Sequence, residues 1–435
     1  MNKNLERGSR ARPRLFKRSK KSRRRKRSKR RTIEHLELRA MLTGVTLIDI
    51  NQDLLGSEPD SFTTVGDEVF FVAHDGIVGN ELWKTDGTDA GTVLVKDIAP
   101  GPQDSIGSTF GSFVDVDGTL FFGANDGVNG FELWKSDGTT AGTTLVKDIF
   151  PGNNLRGSSP HLSEFTAHDG KLFFYADDGV NGLELWTSDG TEEGTQLVQD
   201  INPNGGQSNS RGSIVSFGDV VLFGANDGVN GRELWQTDGT QAGTSQLVDV
   251  RPGSLSGFFG SLTLSGSFAY FTGNNGDSGE ELFRTDGTAS GTVLLEITPG
   301  SNSSRPESLT DLNGTLFTAA DGPGGLELWK SDGTAAGTVL VRDILPGPGD
   351  GLSFIPNLTA VGDTLFFEAD DGTTGDELWA SDGTEAGTRL VREIRTSSTS
   401  FGPTGASIDF IVDVNGVAFL SALDDTNGRE LWTSD

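Results

Sequence analysis

The 435-residue chain contains no cysteine, so it can form neither a disulfide nor a thiolate metal site. Histidine occurs four times, at His35, His74, His161 and His168, with no i, i+4 pair among them. A zinc site or a Ser-His-Asp triad needs such groups to converge, and the sequence shows no grouping of that kind. No apolar run approaches the roughly 20 residues that a membrane-spanning helix requires. No stretch keeps a 3.6-residue period for long, because glycine interrupts the chain every few residues; helical repeats are excluded. Beyond residue 40 positive charge is scarce: 17 basic residues face 59 acidic ones, a balance of about −42. Such a surface is soluble, attracts cations and is unsuited to nucleic acid.

What the chain does contain is one sentence written seven times, with its first part an eighth: Glu-Leu-Trp, then Ser/Thr-Asp-Gly-Thr, then Gly-Thr. The glutamates are Glu81, Glu132, Glu184, Glu233, Glu281, Glu327, Glu377 and Glu430, spaced 51, 52, 49, 48, 46, 50 and 53 residues apart. All seven tryptophans stand in this motif, and Phe283 takes their place in the fifth copy. A period near 50 residues is one supersecondary unit copied.

One copy, residues 112–149, predicts four short strands. Ser112–Val116 alternates apolar and polar, Asp117-Gly118 is a hairpin turn, and Thr119–Ala124 is apolar enough to be buried on both faces. Phe131–Ser136 and Thr144–Ile149 complete the set, with polar Gly-rich loops between. Four antiparallel strands per repeat make a β-propeller blade, so the fold class expected is all-β, a β-propeller of eight four-stranded blades over residues 44–435. The last copy stops at Asp435, before its fourth strand, and Gly44–Ile50 matches a fourth strand of other copies. The ring is therefore expected to close with the N- and C-terminal strands sharing one blade, which removes open edges.

The first 40 residues are different. They carry 18 basic and three acidic residues, about +15, which together with the −42 of the remainder gives the chain's −27. Residues 1–43 read as a basic, mostly disordered segment; charge alone leaves nucleic-acid binding and targeting both open. The basic run followed by Leu36-Glu37-Leu38-Arg39-Ala40-Met41-Leu42 resembles the N-terminal Leu-Glu-Pro-Arg-x-Leu-Leu motif of planctomycete extracellular proteins, with Leu38 and Met41 departing from it. That resemblance implies a secreted or cell-surface protein. Residues 44–435 resemble the ELWxxDGT repeat family, which is defined by its repeat and implies no particular chemistry.

A residue present in every copy reads as structural first. Tryptophan can stack on sugars, but a Trp in each blade reads as packing between blades. Paired carboxylates cleave glycosides when their environments differ; eight equivalent glutamates offer no such asymmetry and read as clamps on neighbouring loops. The Asp of each Ser/Thr-Asp-Gly-Thr reads as an Asx turn. The candidate metal residues are in the Asx-Asp-Gly loops: Asn125, Asp126 and Asn129; Asp177, Asp178 and Asn181; Asn226, Asp227 and Asn230; Asp370 and Asp371. Oxygen ligands on tight loops suit Ca²⁺, although none has EF-hand spacing. Arg156, Arg211, Arg251 and Arg395 lie in the least regular linkers and are candidates for contact with an anionic partner.

The function expected is a secreted or cell-surface scaffold for binding or adhesion, probing surface polysaccharide or protein as a monomer. The alternative is a carbohydrate-active enzyme with its site in the central channel. The likeness of the copies favours a non-enzymatic role, since an enzyme must break the repeat to place unlike catalytic groups.

Overall fold

The computed structural model describes residues 48–51, 56–107, 113–151, 162–203, 208, 212–353, 357–399 and 402–435. In the copy read above, strands run Val114–Val116, Thr119–Asn125, Phe131–Ser136 and Thr144–Lys147, within two residues of the sequence reading. Ser112 lies outside the described residues. The hairpin turn holds Asp117 at φ 50° and Gly118 at φ 83°, both in the left-handed region that a two-residue type I′ turn demands.

The same meander recurs along the chain. Seven four-stranded antiparallel sheets span 60–96, 114–147, 163–197, 214–248, 258–295, 307–342 and 359–392, and an eighth, three-stranded, spans 411–434. We number them one to eight. Strands follow in chain order within each sheet, and a two-stranded hairpin, Ser398–Thr399 with Gly402–Pro403, stands between sheets seven and eight. The described residues contain no helix. The first strand of each sheet touches the first strand of the next, as in a propeller whose innermost strands stand side by side.

The core lies between sheets. Phe122 of sheet two packs toward Val65, Phe70 and Leu82 of sheet one, while its neighbour Phe121 packs toward Leu172 and Phe174 of sheet three. Alternate residues of one strand thus serve two cores, which is why the second strand of each copy reads as apolar throughout. Trp134 belongs to the core with sheet one, and Trp186 and Trp379 each pack on the preceding sheet in the same way.

Ring closure was expected from Gly44–Ile50. Gly44–Leu47 lie outside the described residues, as does the basic segment 1–43, and Ile48–Ile50 form no strand. Ile50 packs against Phe71, Ala73 and Trp83 of sheet one. The outer edge of sheet eight carries no fourth strand among the described residues.

Candidate functional site

In the seven four-stranded sheets the repeated glutamate is buried and clamps the linker that follows its own sheet. Glu132 Oε2 accepts the Ile149 N–H at 2.8 Å and Oε1 accepts that of Phe150 at 3.2 Å. Glu81 holds the N–H groups of Ile98 and Ala99 and the Ser105 hydroxyl at 2.6 Å; Glu281 holds Ile297 N–H and the Ser304 hydroxyl at 2.7 Å. Glu233, Glu327 and Glu377 do the same, and Glu184 accepts from Ile201 N–H. Glu430, in the three-stranded sheet, is exposed.

Burial pushes the carboxyls of Glu81, Glu132, Glu184, Glu233, Glu327 and Glu377 up from the ordinary 4.5 to about 7, although the N–H bonds pull the other way. The folded state therefore holds these protons more tightly than the unfolded chain. The stability that follows is fully present below about pH 4.5 and is lost as pH rises through about 7. The melting temperature is expected to be higher at pH 5 than at pH 8, measured by calorimetry. A melting temperature that climbs over that range would show that the N–H bonds outweigh burial.

The rest of the motif is turn chemistry. Asp137 Oδ1 accepts the Thr139 N–H at 2.9 Å and its hydroxyl at 2.7 Å, and Ser136 and Thr143 hydroxyls pair at 2.7 Å. A Cβ on Gly142 would stand 2.0 Å from Asp137 Oδ1, so the second Gly of the motif is dictated by the carboxylate folded against it.

The candidate metal residues lie where expected, on exposed or half-buried turns, but their oxygens are occupied. Asp126 Oδ1 accepts from Val128 and Asn129 N–H, Oδ2 accepts from the Asn129 amide at 2.7 Å, and Asn125 Oδ1 accepts from Gly127 N–H. Asp177, Asp178 and Asn181 repeat this, as do Asn226, Asp227 and Asn230, while Asp370 accepts from Gly372 N–H and Asp371 from the N–H groups of Thr373 and Thr374. Each loop turns its carboxylate oxygens inward to its own donors. That donor set does not fit Ca²⁺, which takes six to eight oxygens. Among the described residues no three His, Asp or Glu side chains come together as a metal would need. Of the four arginines, Arg156 and Arg211 lie outside the described residues, and Arg395 is paired with Asp425 at 3.2 Å.

Sequence reasoning missed a tie between sheets. In four copies a basic side chain fifteen residues after the repeated Glu, Lys96, Lys147, Arg342 or Arg392, reaches from the fourth strand to the next sheet, while Gln199 and Val248 stand there in sheets three and four. Lys96 Nζ lies 5.5 Å from the Trp134 ring centre and donates to the Thr143 carbonyl at 2.6 Å. Arg342 sits 5.7 Å over Trp379 and donates to Thr388 O; Arg392 sits 5.5 Å over Trp432. The signal was legible as a recurring Lys-Asp, Arg-Asp or Arg-Glu, but only the fold shows that the partner is one copy further on.

The array is irregular at sheet six. From Ala to Glu the loop spans seven positions, Ala320 to Glu327, where the other copies take eight, such as Ala124 to Glu132. Gly322 pairs with Gly325 in a tight Pro323-Gly324 turn, and no side chain equivalent to Asn129 remains. Trp329 is consequently half-buried, whereas Trp134 and Trp379 are buried, and beside it opens a cavity of about 640 Å³ walled by Pro323, Leu340, Asp343 and Pro348.

No family model and no curated protein matches this sequence. Solved structures match over most of this chain. A puromycin hydrolase is 15% identical, with a TM-score of 0.41, over 90% of this chain and 54% of its own. A prolyl endopeptidase structure is 12% identical, TM-score 0.44, over 85% and 55%; a Mycobacterium tuberculosis puromycin-hydrolyzing peptidase is 12% identical, TM-score 0.40, over 84% and 57%. The chain thus spans little more than half the length of these proteins, and the likeness is one of fold. The expectation of a binding or adhesion scaffold, with its carbohydrate-active alternative, is corrected by these matches, which are a puromycin hydrolase, a prolyl endopeptidase and a puromycin-hydrolyzing peptidase, none of them a scaffold. The sameness of the copies, read as a sign of a scaffold for partners, is the sameness of clamps and turns that hold the sheets themselves.

Proposed function

We propose that the array is the non-catalytic, substrate-handling part of a peptidase-type protein, holding peptide while groups outside the array break the bond. The observation that carries this reading is the commitment of the repeated carboxylates. In all seven complete sheets the motif glutamate is buried and bonded to linker N–H groups, so these carboxylates build the array and are not presented to a substrate. Peptide is the ligand class to try first, because a puromycin hydrolase and a prolyl endopeptidase are among the solved proteins of similar fold. The full chain is expected to bind short peptides in calorimetric titrations, to release no p-nitroaniline from aminoacyl p-nitroanilides and to escape labelling by a fluorophosphonate. Turnover by the pure chain, or the absence of binding across a peptide library, sinks this reading.

The reading includes a closed ring, in which Val45–Ile50 supplies the fourth strand of sheet eight. Two features support it. Ile50 packs on sheet one as Ile98, at the corresponding place after sheet one, packs on sheet two. Leu431 of the outer strand is 65% exposed while Leu133, its counterpart in sheet two, is 0% exposed, so an edge stands ready for one more strand.

A further inference from the structure

Two single-residue deletions meet at Trp329. The first, in its own loop, shortens the connection to a tight Pro323-Gly324 turn beside the ring. The second is in the fourth strand of the preceding sheet. From the motif Glu to the clamped Ile is 17 positions in sheet one, Glu81 to Ile98, but 16 in sheet five, Glu281 to Ile297. The strand there also lacks the bulge: Leu282 pairs with Leu295 and Phe283 with Leu294, whereas Leu82 pairs with Lys96 and Trp83 with Leu94.

The lost residue is the basic one. Asp97 accepts the Gly101 N–H four positions on, and Glu296 accepts the Gly300 N–H in the same way. Glu296 therefore stands where Asp97 stands, and nothing stands where Lys96 does. Among the described residues no lysine or arginine lies over the Trp329 ring or donates to the Thr338 carbonyl, the counterparts of the Trp134 ring and Thr143 carbonyl that Lys96 contacts. The ring is open on one side to a cavity bearing Asp343, in a body with a large negative excess.

We infer that the Trp329 cavity binds the basic side chain of a peptide, its guanidinium or ammonium group taking the place that Lys96, Arg342 and Arg392 fill at other tryptophans. Three occupied copies of the site define the occupant. Each has an alkyl stem ending in a cation 5.5–5.7 Å from an indole ring centre. The apolar wall of Leu340 and Pro348 suits the stem and Asp343 suits the charge, and the volume accepts one side chain with its flanking backbone. This inference names the ligand chemistry of the peptide-handling function proposed above and rests on it.

The test is calorimetric titration of the full chain with acetyl-Gly-Arg-Gly-amide and with the same peptide carrying citrulline, the neutral isostere of arginine. The arginine peptide is expected to bind about tenfold more tightly or better, the difference being the cation's attraction to ring and carboxylate. Trp329→Leu should abolish that difference. Insertion of one arginine between Leu295 and Glu296 should fill the site from within, removing peptide binding while raising the melting temperature. The insertion keeps the test valid if Trp329→Leu fails to fold. Equal binding of the two peptides, or arginine-peptide binding unchanged by the insertion, overturns the inference; in that case peptide handling elsewhere on the array still stands. Binding of n-butylguanidinium at Trp329 with no peptide bound anywhere supports the cation site and overturns the peptide reading beneath it.

Discussion

Trp134→Ala is expected to destabilise the protein by about 3–5 kcal/mol, read from urea unfolding, since it empties a large aromatic volume from a core that cannot collapse around it. Trp134 is 5% exposed and packs among Val72, Leu82, Ile98, Leu120 and Phe122, residues of two sheets. The loss would be felt at the seam between sheets rather than within one. Lys96 adds a second consequence, because its ammonium loses the ring it lies over and keeps only the Thr143 carbonyl. The fifth copy supplies the control. Phe283 fills the same place, 6% exposed and stacked on Phe271 at 5.5 Å, so Trp134→Phe should cost less than half as much as the alanine change. A Trp134→Ala variant as stable as the parent would mean that the ring is dispensable between sheets, and the packing account of all seven tryptophans would fail with it.

How much of this could be read from the residues follows from where each signal lies. Strand positions were legible because a β-strand writes its period into adjacent residues: Thr119–Asn125 is apolar on both faces, and both faces are buried. The clamp of Glu132 was legible as a role, because a carboxylate repeated in every copy had to serve the repeat, but its partners, Ile149 and Phe150, needed the fold. The Asx loops were legible as oxygen-rich turns, but the sequence shows which oxygens are present and not which N–H groups they already face; Asp126 faces two backbone donors and an amide. The basic tie was invisible for a different reason. Lys96 and Trp134 are far apart in sequence and belong to different copies, and the period of a repeat aligns copies with one another without saying which touch. The same blindness hid the surroundings of Trp329, where a one-residue deletion in the loop of sheet six and another in the fourth strand of sheet five, ordinary in an alignment of repeats, fall beside one ring.

Removal of residues 1–51 is expected to lower the melting temperature and promote aggregation or strand exchange, while removal of residues 1–43 leaves both unchanged. The argument turns on the outer strand of sheet eight, Gly428–Ser434, which pairs on one side with Val417–Asp424 and on the other side with no described strand. Its Leu431 is 65% exposed, and Trp432 is only half-buried where Trp379 is 3% exposed. If Val45–Ile50 lies along that edge, it covers both side chains, and taking it away re-exposes them at about 1.5–3 kcal/mol each. It also leaves a row of unpaired N–H and C=O groups ready to pair with another chain, which is the route to aggregation. The shorter deletion removes only the basic segment, whose charge and composition give it no core to belong to. Ile50 offers an independent check, since it packs on Phe71, Ala73 and Trp83 of sheet one: Ile50→Ala should destabilise the full chain and have no counterpart in the 1–51 deletion. A cysteine at position 46 paired with one at position 431 should crosslink within a single monomer. Identical melting of the two deletions, together with crosslinks that form only between molecules, would show that the array stays open and that its last edge is covered by something other than its own N-terminus.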